Sequence, residues 1–157
     1  MKSDVKITGD GVQINRIFNA PRERVFAAWK NPDLLKQWTG CKGATKVEVQ
    51  MDFRVGGSFT QKMFITGAGE FSFTGKYIEI VEPEKIVYDA NLGPAITRVV
   101  VEFIEQGRHT KVVVRQERFP DQKFANIVAQ GTMESFDKLE HLLVTGSGAD
   151  SSRPASA

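Results

Sequence analysis

With 157 residues, 41% of them apolar, the chain is long enough for one domain with a substantial core. Its 21 basic and 19 acidic side chains give a formal net charge of +2 and lie scattered, so the basic footprint of a nucleic-acid binder is missing. No segment approaches the roughly 18 apolar residues of a membrane span. The start, MKSDVKITGDG, has no apolar secretory region, and the single cysteine, Cys41, excludes an intramolecular disulfide; a cytoplasmic location is expected.

Val12 to Asn19 reads as the first strand, with Ile14, Arg16 and Phe18 on one face. Ala20-Pro21 stops it, and Pro21 suits the first turn of a short helix carrying Val25, Phe26 and Trp29. Asn31-Pro32 repeats the device: Asn31 caps and Pro32 opens a second short helix with Leu34, Leu35 and Trp38. The aromatic residues of this corner either plug the end of a sheet or form the lip of a pocket.

From Thr45 the period changes to two. Lys46 to Met51 alternates as a half-exposed strand, and Gly56-Gly57 supplies a turn or bulge. Phe59, Gln61, Met63 and Ile65 then share one face of the next strand. After the Gly67-Ala68-Gly69 loop, Phe71, Phe73, Gly75 and Tyr77 share a face in a longer strand, where Gly75 allows a bend. Glu82-Pro83-Glu84 turns the chain into Lys85 to Asn91, with Ile86, Tyr88 and Ala90 on one side. Ile96 to Glu105 and His109 to Phe119 close the series around a tight Gln106-Gly107-Arg108 turn. The short connections require antiparallel pairing, because parallel strands need long crossovers.

Phe124 to Val144 is a long amphipathic helix, with Phe124, Ile127, Val128, Phe136, Leu139, Leu142 and Leu143 on its apolar stripe and Asp121 as its N-cap. Gly131, Thr132 and Ser135 complete that stripe without filling space. A small waist on a core helix means either a cavity beneath it or close backbone packing on the sheet. Gly146 is placed to end the helix, and the small polar tail from Ser147 predicts disorder, leaving residues 1–146 as the domain.

His109 and His141 have no carboxylate, Cys or Ser partner by local spacing, and no His, Cys or carboxylate residues form a metal-ligand motif. Gly56-Gly57 lacks the Lys-Ser/Thr of a phosphate loop. If Val112 and Val114 point inward, so does Gln116; if Ile86 does, so does Tyr88. These polar groups either orient a ligand or are satisfied within the core. Arg16, Arg98 and Arg115 are expected in surface salt bridges rather than on a ligand carboxylate.

Four stretches resemble the domain family named for the activator of the heat-shock-protein-90 ATPase (AHSA-type), within the START-like (SRPBCC) superfamily. They are Arg16 to Trp38 (RIFNAPRERVFAAWKNPDLLKQW), Phe53 to Phe59 (FRVGGSF), Thr74 to Tyr88 (TGKYIEIVEPEKIVY) and Gly131 to Leu143 (GTMESFDKLEHLL). The resemblance implies an α+β helix-grip (START/Bet v-like) fold: a curved seven-stranded antiparallel sheet wrapped around the long C-terminal helix, with two short helices after the first strand. It further implies an apolar cavity between sheet and helix, where many superfamily members bind lipids, sterols, polyketides or aromatic compounds, and a stress-related role. A minority of members are cyclases or hydrolases. The ATPase activation for which the family is named belongs to a co-chaperone with an additional domain that has no counterpart in these residues, so it is not carried over. Thr39 and Thr132 stand where the family often has tryptophan, and both changes remove bulk near the implied cavity.

The expectation is therefore a cofactor-free binder of a small hydrophobic molecule. Its cavity wall comprises Phe59, Met63, Phe73, Tyr88, Val101, Gln116, Val128 and Thr132, with no catalytic residue and no metal site. A cyclase or hydrolase using the same cavity, with Tyr88 as acid or hydrogen-bond donor, is the second reading. A chaperone-associated protein-interaction module is the third, and the sequence leaves the oligomeric state open.

Overall fold

The computed structural model describes residues 3–145. Among them the period-two segments form one open antiparallel sheet of eight strands: β1 (Asp4–Thr8), β2 (Gly11–Phe18), β3 (Ala44–Met51), β4 (Ser58–Ile65), β5 (Gly69–Val81), β6 (Lys85–Asn91), β7 (Ile96–Gln106) and β8 (His109–Glu117). Their order across the sheet is β1-β2-β8-β7-β6-β5-β4-β3. Every link from β3 to β8 joins neighbours, as short turns demand. Helices α1 (Arg22–Lys30) and α2 (Pro32–Trp38) lie between β2 and β3, and α3 (Gln122–Thr145) closes the described chain. Gly146 and the tail from Ser147 lie outside the described residues.

The strand count corrects the expectation of seven, and the two short helices follow the second strand rather than the first. The addition is β1, an edge strand whose Val5 and Ile7 lie opposite the buried Ile14 and Val12 yet are themselves 43% and 52% exposed. A strand exposed on both faces has no inside-outside alternation to betray it.

The helix boundaries follow local chemistry. Asn31 Oδ1 accepts the Asp33 amide at 2.9 Å and caps α2. Asp121 Oδ1 accepts the Phe124 amide at 2.8 Å at the start of α3. The corner made by α1 and α2 is stapled by Trp38 Nε1, which donates to the Ala28 carbonyl at 3.0 Å, and by the Trp29 and Trp38 rings at 4.6 Å.

Phe136 is the hub where α3 meets the rest. It is buried, with its ring edge-on to Phe18 at 5.4 Å and to Trp29 at 6.1 Å. Leu139, Leu142 and Leu143 continue the contact toward the C-terminus. Toward the N-terminus the expected stripe is rotated. Ala125 and Ala129 are buried, whereas Ile127 is 60% exposed.

Arg16 also departs from expectation, being only 4% exposed rather than at the surface. Its Nη2 lies 2.8 Å from Asp137 Oδ1 and its Nη1 3.4 Å from Glu140 Oε1, while Nε donates to Ser3 Oγ at 2.8 Å. The guanidinium also sits 5.8 Å from the Phe136 ring centroid. A buried cation is tolerable because α3 brings two carboxylates to it. Replacing Phe136 by alanine empties the hub, so Phe136→Ala should cost about 3–5 kcal/mol in a urea unfolding curve.

Candidate functional site

Side-chain alternation aims Phe59, Gln61, Met63 and Ile65 of β4 to one face of the sheet, together with Phe71, Phe73 and Tyr77 of β5. Ile86, Tyr88 and Ala90 of β6, Val99 and Val101 of β7, and Val114 and Gln116 of β8 extend that surface. Opposite it stand Phe124, Val128, Gly131, Thr132 and Ser135 of α3. Between the two layers lies a cavity of about 380 Å³, within the range of small-molecule sites. Trp38 and the segment Thr39-Gly40-Cys41 close one side. Phe71 and Ile127 line it while being 39% and 60% exposed, so the cavity opens between β5 and the first half of α3.

All eight residues expected in the wall, Phe59, Met63, Phe73, Tyr88, Val101, Gln116, Val128 and Thr132, line this one cavity. Gln61 and Tyr77 line it too and are absent from the expected set, although the parity that selects Phe59, Met63 and Phe73 includes them. Arg16, Arg98 and Arg115 are not in the wall. Arg98 pairs with Asp89, and Arg115 Nη1 lies 2.6 Å from Glu102 Oε1. Among the described lining residues none is charged.

The waist of α3 borders empty space rather than sheet backbone. A Cβ added at Gly131 would meet only Cys41 Cβ, at the ordinary contact distance of 3.7 Å. Thr132 Oγ1 donates to the Val128 carbonyl at 3.0 Å, and Ser135 Oγ lies 3.0 Å from the Gly131 carbonyl and 2.8 Å from the Gly40 carbonyl, so both hydroxyls are engaged by backbone. The close approach occurs elsewhere, at Gly75. There an added Cβ would fall 2.1 Å from Phe59 Cζ, so the glycine makes room for the Phe59 ring in addition to any bend.

Thr39 Oγ1 donates to Gln61 Oε1 at 2.7 Å, and Gln116 Nε2 donates to Thr97 Oγ1 at 2.9 Å. The ring of Tyr88 stands edge-on to Phe59 at 5.3 Å and to Tyr77 at 6.3 Å. Burial pushes the Tyr88 phenol from its ordinary value of 10.0 up to about 12. Burial, and then the neighbouring Tyr88, pushes Tyr77 higher still. Lys138, at the edge of the site, is lowered by burial, and its ammonium donates to the carbonyls of Thr39 at 3.3 Å and Cys41 at 3.5 Å.

Residues 19–144 match the family model described as Activator of Hsp90 ATPase homolog 1-like protein. Solved structures with the same architecture include the protein CV1439 from Chromobacterium violaceum, 24% identical with a TM-score of 0.77 over 87% of this chain and 98% of that one. A protein from Rhizobium leguminosarum is 26% identical, with a TM-score of 0.72 over 92% and 99% of the two chains. A protein from Arthrobacter aurescens is 18% identical, with a TM-score of 0.78 over 94% and 95%. These likenesses show the START-like (SRPBCC) helix-grip fold. No curated protein matches the chain. Among the described residues no helix is long and apolar enough to cross a membrane.

The chain's two tyrosines both lie in the cavity wall, which makes their titration a direct probe of it. Tyrosinate absorbance of the native protein should stay flat through pH 10.0 and begin to rise only on approach to about pH 12. Unfolded tyrosines release their protons near 10.0 while the folded ones keep theirs, so this contribution to stability is complete below that pH. It is lost as pH climbs toward about 12, and the loss should be shallower in Tyr88→Phe. Ordinary titration of both phenols in the folded protein would contradict the burial.

Proposed function

The chain belongs to the Activator of Hsp90 ATPase homolog 1-like family, whose model spans its residues 19–144, and we propose that it binds one small hydrophobic molecule in the cavity beneath α3. The observation that carries this reading is the wall itself: about 380 Å³ of space enclosed by aromatic and aliphatic side chains, reaching solvent past Phe71 and Ile127. The family commonly binds hydrophobic ligands, which agrees with such a wall. Apolar ligand surface withdrawn from water contributes about 25 cal/mol per Å² before the cost of ordering. Phe59, Met63, Phe73, Val101 and Val128 supply the apolar contact in this reading, Thr132 the room, and Tyr88 and Gln116 the orientation.

Holding the ligand, rather than transforming it, is the favoured chemistry. Tyr88 would be the acid of a cyclase or hydrolase, yet it keeps its proton up to about pH 12. Among the described lining residues no histidine, carboxylate or lysine stands beside it to complete an acid-base pair. The protein so read is a cytoplasmic, cofactor-free carrier or store for its ligand.

The test is a backbone-amide NMR titration with pooled lipids, sterols, fatty acids and flavonoid-like aromatics. Saturable shifts should concentrate at Gly131–Phe136 and on the inner faces of β4 to β8. Thr132→Trp fills the space below the waist of α3 and should weaken the bound ligand by about tenfold or more, with the spectrum still that of a folded protein. Unchanged affinity in that variant would place the ligand elsewhere.

A further inference from the structure

The polar groups of the wall say more than that the ligand is hydrophobic. Strand register sets Gln116, Val99, Tyr88 and Tyr77 in one row across β8, β7, β6 and β5. Directly opposed residues share a face, so the amide and both phenols project from one line into the cavity. Gln61 projects into the same cavity from β4, opposite Phe73 and four residues along β5 from Tyr77.

The orientation of Gln116 follows from its network. Fully buried Thr97 donates its hydroxyl proton to the Ala90 carbonyl at 3.3 Å, so its oxygen is left to accept from the glutamine. The atom 2.9 Å away must then be the Nε2 donor, and Oε1 is turned away from Thr97 with no donor among the described residues. Thr39 donates to Gln61 Oε1, which leaves the Nε2 donors of Gln61 without an acceptor although the residue is only 8% exposed. The Tyr77 phenol, on a residue 5% exposed, and the Tyr88 phenol have no hydrogen-bond partner among the described residues either.

Among the described residues the buried side-chain atom without a hydrogen-bond partner is Arg22 Nε, so these wall atoms border the open space of the cavity, where water can reach them. A ligand that displaces such water gains over an isostere when it replaces the hydrogen bonds the water would make. An anion gains nothing comparable here. Among the described residues no cation lines the wall, and several that adjoin it in sequence are engaged away from it, Lys62 on Glu70, Lys85 on Glu79, Arg98 on Asp89, Arg115 on Glu102 and Lys138 on two carbonyls. A carboxylate entering this wall would lose its hydration without finding a counter-charge.

We propose that the cavity selects an uncharged ring compound with a hydroxyl that donates to Gln116 Oε1 and a carbonyl that accepts from Tyr88 or Gln61, and that it discriminates against fatty acids and other carboxylates. Rings rather than chains fit because Phe59, Phe73, Tyr77 and Tyr88 present faces and edges at T-shaped and tilted angles around the space. The inference rests on the cavity-binding reading and narrows it to a ligand class.

Three probes of one shape separate the terms: para-(hydroxymethyl)benzophenone, para-ethylbenzophenone and para-benzoylbenzoate, each titrated into the intact chain by amide NMR at neutral pH, with dodecanoate beside them. The alcohol should bind about tenfold or more tighter than the ethyl compound, and the ethyl compound tighter than either carboxylate. In Gln116→Met the alcohol should lose its advantage over the ethyl compound. A carboxylate that binds as tightly as the alcohol overturns the charge selection and leaves the cavity reading standing. An alcohol no better than the ethyl compound overturns the hydrogen-bond assignment. Failure of all of them to shift any cavity amide overturns the cavity reading and this inference with it.

Discussion

A helix of 24 residues laid over a sheet touches it only where its side chains are large enough to reach, and the apolar stripe of α3 narrows at Gly131, Thr132 and Ser135. Phe136, Leu139, Leu142 and Leu143 dock the C-terminal half, and Arg16 adds a charge-assisted tie from β2 to Asp137 and Glu140. The segment after α2 holds the middle: Ser135 binds the Gly40 carbonyl, Lys138 the Thr39 carbonyl, and Glu134 accepts the Lys42 amide at 2.9 Å. With that half fixed, the half carrying Val128, Gly131 and Thr132 is free to stand off from the sheet. The cavity is thus a consequence of where the helix is anchored. Without the anchor, collapse of α3 onto the inner face would remove the void, since packed interiors leave few spaces larger than a water molecule.

The sheet contributes by sorting charge. Along β6 and β7 the two-residue period puts Tyr88 and Ala90 inward with Asp89 between them, and Thr97 and Val99 inward with Arg98 between them. Asp89 and Arg98 are direct cross-strand neighbours and pair on the outer face, and Glu102 and Arg115 pair there diagonally between β7 and β8. Exposed pairs of this kind add at most about 1 kcal/mol each. Their larger effect is geometric, because each formal charge kept on the outer face is one that the inner face lacks. The register shift between Tyr77 and Glu79 adds local twist where β5 passes Tyr77. An uncharged but not wholly apolar cavity follows from this alternation along β4 to β8, while Arg16, inward on β2, is taken up by Asp137 and Glu140.

Much of this was legible in the sequence, for reasons that differ by element. Asn31-Pro32 and Asp121 announced two helix starts because capping is local chemistry. The strands from β4 to β8 announced themselves because one face is buried and the other wet. The same parity reached Phe59, Met63, Phe73, Tyr88, Val101 and Gln116, and it extends equally to Gln61 and Tyr77 along β4 and β5. What was hidden depends on distant partners. Arg16 reads as a surface residue until a helix more than a hundred positions away brings Asp137 and Glu140 to it. β1 carries no burial pattern because it lies at an edge, and Ile127 looks like core because helical periodicity reports bulk rather than what lies opposite. The small waist was ambiguous for the same reason, since glycine serves both close approach and empty space, and only the neighbour at 3.7 Å tells them apart.

A core that encloses a cavity bordered by polar side chains is a poor way to maximise stability. Leucine at Gln61 or Gln116 would suit an apolar interior better on transfer grounds, and bulk at Gly131 or Thr132 would recover dispersion contacts that the void forfeits. Each of these positions instead holds a residue that leaves either space or a polar group on the cavity, and all of them face the same volume. Scattered through a structure, such features would be isolated defects. Gathered on one cavity, they are what the proposed binding draws on: a molecule that filled the space and matched these groups would raise native-state stability as it bound. In that proposal specificity resides in the pattern of cavity-facing polar groups more than in the area of the wall, because apolar area favours every hydrophobe alike whereas an acceptor facing the ligand distinguishes a hydroxyl from an ethyl group.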